Sequence, residues 1–196
     1  MSINNGSITL IMGPMFSGKT TELINIYNEK SNINGNEKCL ALNYALDNRY
    51  GINKIISHNK KEINCHSILN IGDFIENTST QPLFLKANYI FINEAQFFEN
   101  LIHYVLIMKN IFKKHIILCG LDLDFQRKKF GQLADLNIYA NKVIYLHGKC
   151  NTIDCNLPSL YSYRVVENKE QLLIGTSEYI PLCGKCYEKN NYILLE

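Results

Sequence analysis

Residues 13–21 read GPMFSGKTT and open on the glycine that ends the β-branched run SITLIMG at 7–13. Gly13, Gly18, Lys19 and Thr20 meet the pattern G-x-x-x-x-G-K-[ST]. Few stretches restrict a chain so tightly. Glycines let the backbone turn until successive N–H groups face inward around a phosphate, and a helix opening there adds the positive end of its dipole. Lys19 is placed to reach β and γ phosphates, and the Thr20 hydroxyl to ligate Mg²⁺. From average composition a chance match arises in about one chain in a hundred of this length, and the strand before and helix after make chance rarer. Gly13, Pro14, Met15, Phe16, Ser17, Gly18, Lys19, Thr20 and Thr21 are therefore the expected nucleoside triphosphate and Mg²⁺ loop. Met15 and Phe16 are large and apolar for such a loop. They either cap the core beneath it or line an adjacent site.

The rest of the chain supplies the sheet that such a loop needs. KCLALNY (38–44), NYIFIN (88–93) and KHIILCG (114–120) are near-continuous apolar runs, as in strands covered on both faces. Between them, residues 18–30 carry Leu23, Ile24, Ile26 and Tyr27 at helical spacing, and 98–112 carry Leu101, Tyr104, Val105 and Met108 on one side. Alternating strands and helices predict an α/β architecture with a mainly parallel sheet between helices. The length of 196 residues fits one domain with a small appendage. After about residue 140 the segments shorten and cysteines crowd. YSYRVV and QLLIGTSEYIPLCGKC read as hairpin pieces around a staple. Residues 1–140 are expected to form the nucleotide-binding domain and 141–196 the cysteine-bearing lobe.

The strand at 88–92 ends in Asn93 and Glu94, within FINEAQFF. Lying parallel to the first strand, it brings both residues to the crevice where open sheets bind ligands. A carboxylate there either holds magnesium through water or takes a proton from an attacking hydroxyl. Glu94 is the acid within reach; the alternative for it is a solvated strand end. Asn93 can hydrogen-bond a metal-bound water but brings no charge, so a weakened hold on Mg²⁺ is expected.

Of seven cysteines, Cys183 and Cys186 form C-x-x-C, and Cys150 and Cys155 form C-x₄-C. Together they spell a structural Cys₄ zinc site without an open position for catalysis. His147 is a possible substitute ligand, or else a partly buried strand residue. Cys39, Cys65 and Cys119 fall in or near apolar strands and read as small core residues. Twenty Lys and Arg against eighteen Asp and Glu give a net charge of +2. A polynucleotide partner, which calls for a basic stripe, is disfavoured, while small anions are not. The start, MSINNGSITLIMG, lacks the basic residues and apolar length of a signal peptide. No stretch approaches the roughly 20 apolar residues of a membrane span. A cytoplasmic protein is expected, where cysteines serve metal ligation or burial more than disulfides.

Taken in order, GPMFSGKT, DNRY (47–50), NEAQFF (93–98), GLDLDFQRKKFG (120–131) and IGTSEYIPLCGKCY (174–187) resemble the type II thymidine kinases, the cellular and viral class with a zinc-bearing lobe. The resemblance spans nearly the whole chain. It implies a P-loop, RecA-like α/β core with a small zinc lobe carrying a lasso loop. It implies transfer of the γ-phosphate of ATP to the 5′-hydroxyl of thymidine, and also of deoxyuridine, with feedback by dTTP and a homotetrameric assembly. Glu94 matches the family's general base, Asn93 the preceding acid tied to the magnesium water shell, and Arg49 the phosphate-reaching Arg beside Asp47. Lys19 and Thr20 match the phosphate and Mg²⁺ positions. The nucleoside pocket maps to Met15, Leu121, Phe125 and Phe130. On the lasso side it maps to Ser162, Gln171, Leu173, Gly175 and Tyr179, with Arg164 as the loop's anchor. Phe125 stacks on the pyrimidine in this scheme, and Tyr179 contacts the sugar. The chain departs from the family pattern at Asn93, in the two extra residues between Cys150 and Cys155, and in a lasso segment one residue shorter. These departures leave a nucleotide-binding regulator with a decayed site, or a kinase of altered base preference, as the rival readings.

Overall fold

The computed structural model of the protein describes residues 5–47 and 51–193; Arg49 lies outside these residues. In chain order they form β1 (Ser7–Met12), α1 (Lys19–Asn34), β2 (Cys39–Tyr44), β3 (Lys54–Ile56), β4 (Glu62–Asn64), β5 (His66–Ile68), α2 (Ile71–Glu76), α3 (Gln81–Lys86), β6 (Tyr89–Ile92), α4 (Leu101–Asn110), β7 (His115–Gly120) and β8 (Lys142–Tyr145). Six of the described strands make one sheet, ordered β5-β2-β6-β7-β1-β8, with every pairing parallel. The four strands legible as apolar runs are its inner four.

Alternation along each strand divides the core. Leu10, Met12, Leu40, Ile90 and Leu118 face a layer built by α2, α3 and α4 through Phe74, Phe84, Val105 and Met108. Ile11, Ala41, Phe91 and Cys119 face Leu23 and Ile24 of α1 and the β3–β4 hairpin, through Ile55 and Ile63. Both faces are thus covered, which explains why the inner strands read as unbroken apolar runs. The edge strands escaped because β5 has three half-buried residues and β8 is mostly exposed. β8 comes from just past residue 140, so the sheet draws on both parts of the chain.

The C-terminal segment continues with β9 (Gly148–Lys149) against β10 (Pro158–Ser159), then β11 (Tyr161–Arg164) antiparallel to β12 (Tyr179–Leu182), and α5 (Gly184–Ile193). The two hairpin pieces expected from YSYRVV and QLLIGTSEYIPLCGKC pair as β11 and β12. The chain at 165–178 between them is the lasso. No described helix is long and apolar enough to cross a membrane.

Candidate active site

Gly13 leaves β1 with φ +142°, and a Cβ there would lie 2.1 Å from the Leu146 carbonyl oxygen. Only glycine fits both demands. Phe16 (φ 62°) and Gly18 (φ 89°) also take left-handed conformations, which curl the loop before α1 begins at Lys19. The Met15 N–H donates to Ser162 Oγ at 2.9 Å, tying the loop to β11. Lys19 Nζ donates to the Pro14 carbonyl at 2.7 Å, so its ammonium lies across the loop. Met15, Phe16, Gly18, Lys19, Thr20 and Thr21 line a cavity of about 370 Å³. Gly13, Pro14 and Ser17 shape the loop behind that wall. Phe16 is 43% exposed, so the two apolar residues line an adjacent site; Phe16 is no core cap.

Glu94 lines the same cavity. Its carboxylate accepts from Gln96 Nε2 at 2.7 Å, and Gln96 Oε1 accepts from the Leu121 N–H at 3.0 Å. Gln96, which lines the cavity beside Glu94, is therefore a candidate site residue that the sequence alone does not single out. Its place inside NEAQFF was the available signal. The structure does not bring Asn93 to the cavity. Its side chain is 5% exposed and lies between strand ends, with Nδ2 donating to Asn43 Oδ1 at 2.8 Å and Oδ1 3.0 Å from Cys119 Sγ. Burial pushes the Cys119 thiol up to about 12, so at neutral pH it keeps the proton it donates.

Leu121, Phe125, Phe130, Ser162, Gln171, Leu173, Gly175 and Tyr179 all reach this cavity as well. Arg164 is buried and its guanidinium sits 3.6 Å from the Phe125 ring centroid. It donates to the carbonyls of Asn168 (2.8 Å), Glu170 and Gln171 (3.2 Å), and to the Tyr179 hydroxyl. That hydroxyl donates in turn to the Leu173 carbonyl at 2.9 Å, and Gln171 Nε2 to Asp124 Oδ2 at 2.7 Å. The lasso is thereby closed onto the segment that carries Phe125. A further stretch of wall, Ile56, His58 and Asn59, comes from the β3–β4 hairpin. The His58 and Phe16 rings meet edge to face at 6.3 Å. Nothing local in the sequence marks these residues, because the chain must fold back over α1 to present them.

The four sulfurs of Cys150, Cys155, Cys183 and Cys186 lie within 4.8 Å of one another, and Cys155 and Cys183 are 3.8 Å apart. Metal–sulfur bonds of about 2.3 Å in a tetrahedron set neighbouring sulfurs about 3.8 Å apart, whereas a disulfide needs about 2.05 Å. The donors fit a thiolate-bound metal such as zinc. The extra residues between Cys150 and Cys155 are absorbed in a turn with Asp154 at φ 60°. His147 is exposed and lies outside the strands, its ring tilted against that of Tyr145 at 5.2 Å, and it is not part of the sulfur cluster. Cys39, Cys65 and Cys119 are buried, as expected. One residue past the last cysteine, the Tyr187 hydroxyl donates to the Phe125 carbonyl.

A model of the family described as "Thymidine kinase" matches residues 6–187. The thymidine kinase of sheeppox virus is 36% identical over 183 residues, covering 93% of this chain and 97% of the viral protein. That of fowlpox virus is 34% identical over 194 residues, covering 96% and 100%. The rice thymidine kinase is 30% identical over 183 residues, 93% of this chain but 66% of the longer plant protein. With a phosphate loop, a strand-end acid, a lasso and a Cys₄ cluster in one arrangement, the chain belongs to the thymidine kinase family.

Proposed function

We propose that this chain transfers the γ-phosphoryl group of ATP to the 5′-hydroxyl of thymidine, and of deoxyuridine, in deoxynucleotide salvage. One observation carries the proposal: Lys19 and Thr20, the Glu94 carboxylate and the Phe125 and Phe130 rings all face one cavity. ATP places its phosphates on the loop, where backbone N–H groups and Lys19 take up charge on the β and γ oxygens. The pyrimidine lies against Phe125, whose other support is the Arg164 guanidinium. Glu94 accepts the 5′-hydroxyl proton as that oxygen bonds to the γ-phosphorus and the bond to the β-bridging oxygen breaks. Arg49 is assigned to the phosphates by the resemblance. The Thr20 hydroxyl, an oxygen donor on the cavity wall, would help to hold a hard cation such as Mg²⁺, which would supply charge neutralisation at the phosphates.

The Cys₄ cluster holds a structural Zn²⁺ in this reading. Residues 1–140 bind ATP while 141–196 hold the zinc and close over the acceptor. Because phosphate loop and base wall share one cavity, dTTP can span both, which supports feedback inhibition. A homotetramer is carried over from the resemblance, a cytoplasmic location is kept as the expectation drawn from the sequence, and the near-balanced charge supports small-molecule substrates over nucleic acid.

A coupled assay with a nucleoside panel and ATP tests the proposal. Thymidine is expected to turn over, and Glu94→Gln to lower kcat by about 10²–10⁴. No turnover of thymidine by the native chain, or full activity in Glu94→Gln, would refute it.

A further inference from the structure

We infer that Asn93 is a positioning residue for Glu94: it braces the ends of three adjacent strands and stands outside the magnesium shell. This rests on Glu94 acting as the base in the proposed reaction. β6 lies between β2 and β7, and Leu42, Ile92 and Leu118 are level across the sheet. The next residue on each strand is therefore Asn43, Asn93 or Cys119. Hydrogen bonds run through this row in one direction. Cys119 Sγ donates to Asn93 Oδ1 (3.0 Å), Asn93 Nδ2 to Asn43 Oδ1 (2.8 Å), and Asn43 Nδ2 to the Asp47 carbonyl (3.3 Å). The Asn93 backbone N–H adds a bond to the Leu42 carbonyl at 2.9 Å. All four residues of the row are buried, and none of them lines the cavity.

The row explains why position 93 carries an amide. Asn93 must accept on one side and donate on the other. An ionised aspartate only accepts, so it would set a carboxylate against Asn43 Oδ1. The next residue, Glu94, has φ 52° and ψ 43°. A side-chain-bearing residue stays in that left-handed region only where its surroundings over-determine it. Two clamps do so here: the Asn93 row on one side, and Gln96 on the other through Glu94 Oε2 and the Leu121 N–H. Loosening either clamp lets the carboxylate drift from the hydroxyl it serves.

The test compares Asn93→Ala, Asn93→Asp and Asn43→Leu with the native chain. Thymidine phosphorylation is measured, together with calorimetric binding of a non-hydrolysable ATP analogue across a Mg²⁺ series. Native turnover of thymidine is read first; its absence overturns the kinase proposal and with it the role given to Glu94. With turnover present, all three variants are expected to lose about tenfold to a hundredfold in kcat. Thymidine KM and the Mg²⁺ midpoint of analogue binding should stay within about twofold. Asn43→Leu combined with Asn93→Ala should be no worse than either alone, since both cut one row. If Asn93→Asp instead moves the Mg²⁺ midpoint to lower concentration with kcat retained, Asn93 belongs to the metal shell and the inference fails. An undiminished kcat in Asn43→Leu also overturns it. Should these variants not fold, Cys119→Ala removes one link at little change in volume and Cys119→Ser restores a donor. A severalfold kcat loss in the first, recovered in the second, is expected; equal activity in the two counts against the brace.

Discussion

Arg164 places a full positive charge inside the protein, and its surroundings show how that is tolerated. Two of its nitrogens serve the carbonyls of Asn168, Glu170 and Gln171 and the Tyr179 hydroxyl, while its flat face rests on Phe125. A lysine offers neither the fork nor the plane. Arg164→Lys is therefore expected to raise the thymidine KM by about tenfold, equivalent to about 1.4 kcal/mol, with a smaller change in kcat. Steady-state kinetics over a thymidine series measure the split, and an unchanged KM would show that the lasso closes without this anchor. Single residues were legible in the sequence where chemistry demands a type at a spacing, as with Lys19, Thr20, Glu94 and the four cysteines. Asn93 was legible as a departure but not as a brace, because its partners Asn43 and Cys119 stand 50 and 26 residues away. His58 and Asn59 were invisible for the same reason: their part is set by where a hairpin lands.

At the scale of elements, the inner strands announced themselves and the margins did not. A strand buried on both faces must be apolar throughout, whereas β5 and β8 each have little to bury. Short α3 shows what else holds marginal elements. Its C-terminal end meets the buried Lys114, whose ammonium donates to the Leu85 carbonyl at 2.9 Å and to that of Ala87, and lies 5.0 Å from the Phe84 ring centroid. A cation at the carbonyl end of a helix satisfies groups that otherwise face an apolar interior. Lys114→Met leaves both carbonyls without this donor and is expected to cost about 1–3 kcal/mol of stability. Denaturant unfolding reads the loss, and thymidine KM should stay unchanged because the site lies at the opposite end of the sheet. Wild-type stability in Lys114→Met would mean that the carbonyls find water instead.

Across the whole molecule, the Cys₄ cluster and the base wall are joined by one short path. Cys186 precedes Tyr187, whose hydroxyl holds the Phe125 carbonyl, and Arg127 stacks within 5.0 Å of the Tyr187 ring centroid. Removing the zinc proposed for this cluster with a chelator is expected to lower the thermal midpoint and to raise the thymidine KM several-fold before the sheet unfolds. Tyr187→Phe should reproduce the KM change with the metal still bound, measured by metal content alongside kinetics. A normal KM in that variant would mean that the lobe communicates by another route. The tie between Met15 and Ser162 has a consequence in time as well as in space. Its two ends are separated by 147 residues, so it closes one of the longest loops in the chain. Such contacts form late, after local helices and hairpins, and the N-terminal part leaves the ribosome long before its partner exists. A nascent chain thus carries a phosphate loop without its opposite wall, and the capacity to act on a nucleoside arrives only when synthesis has reached the lobe.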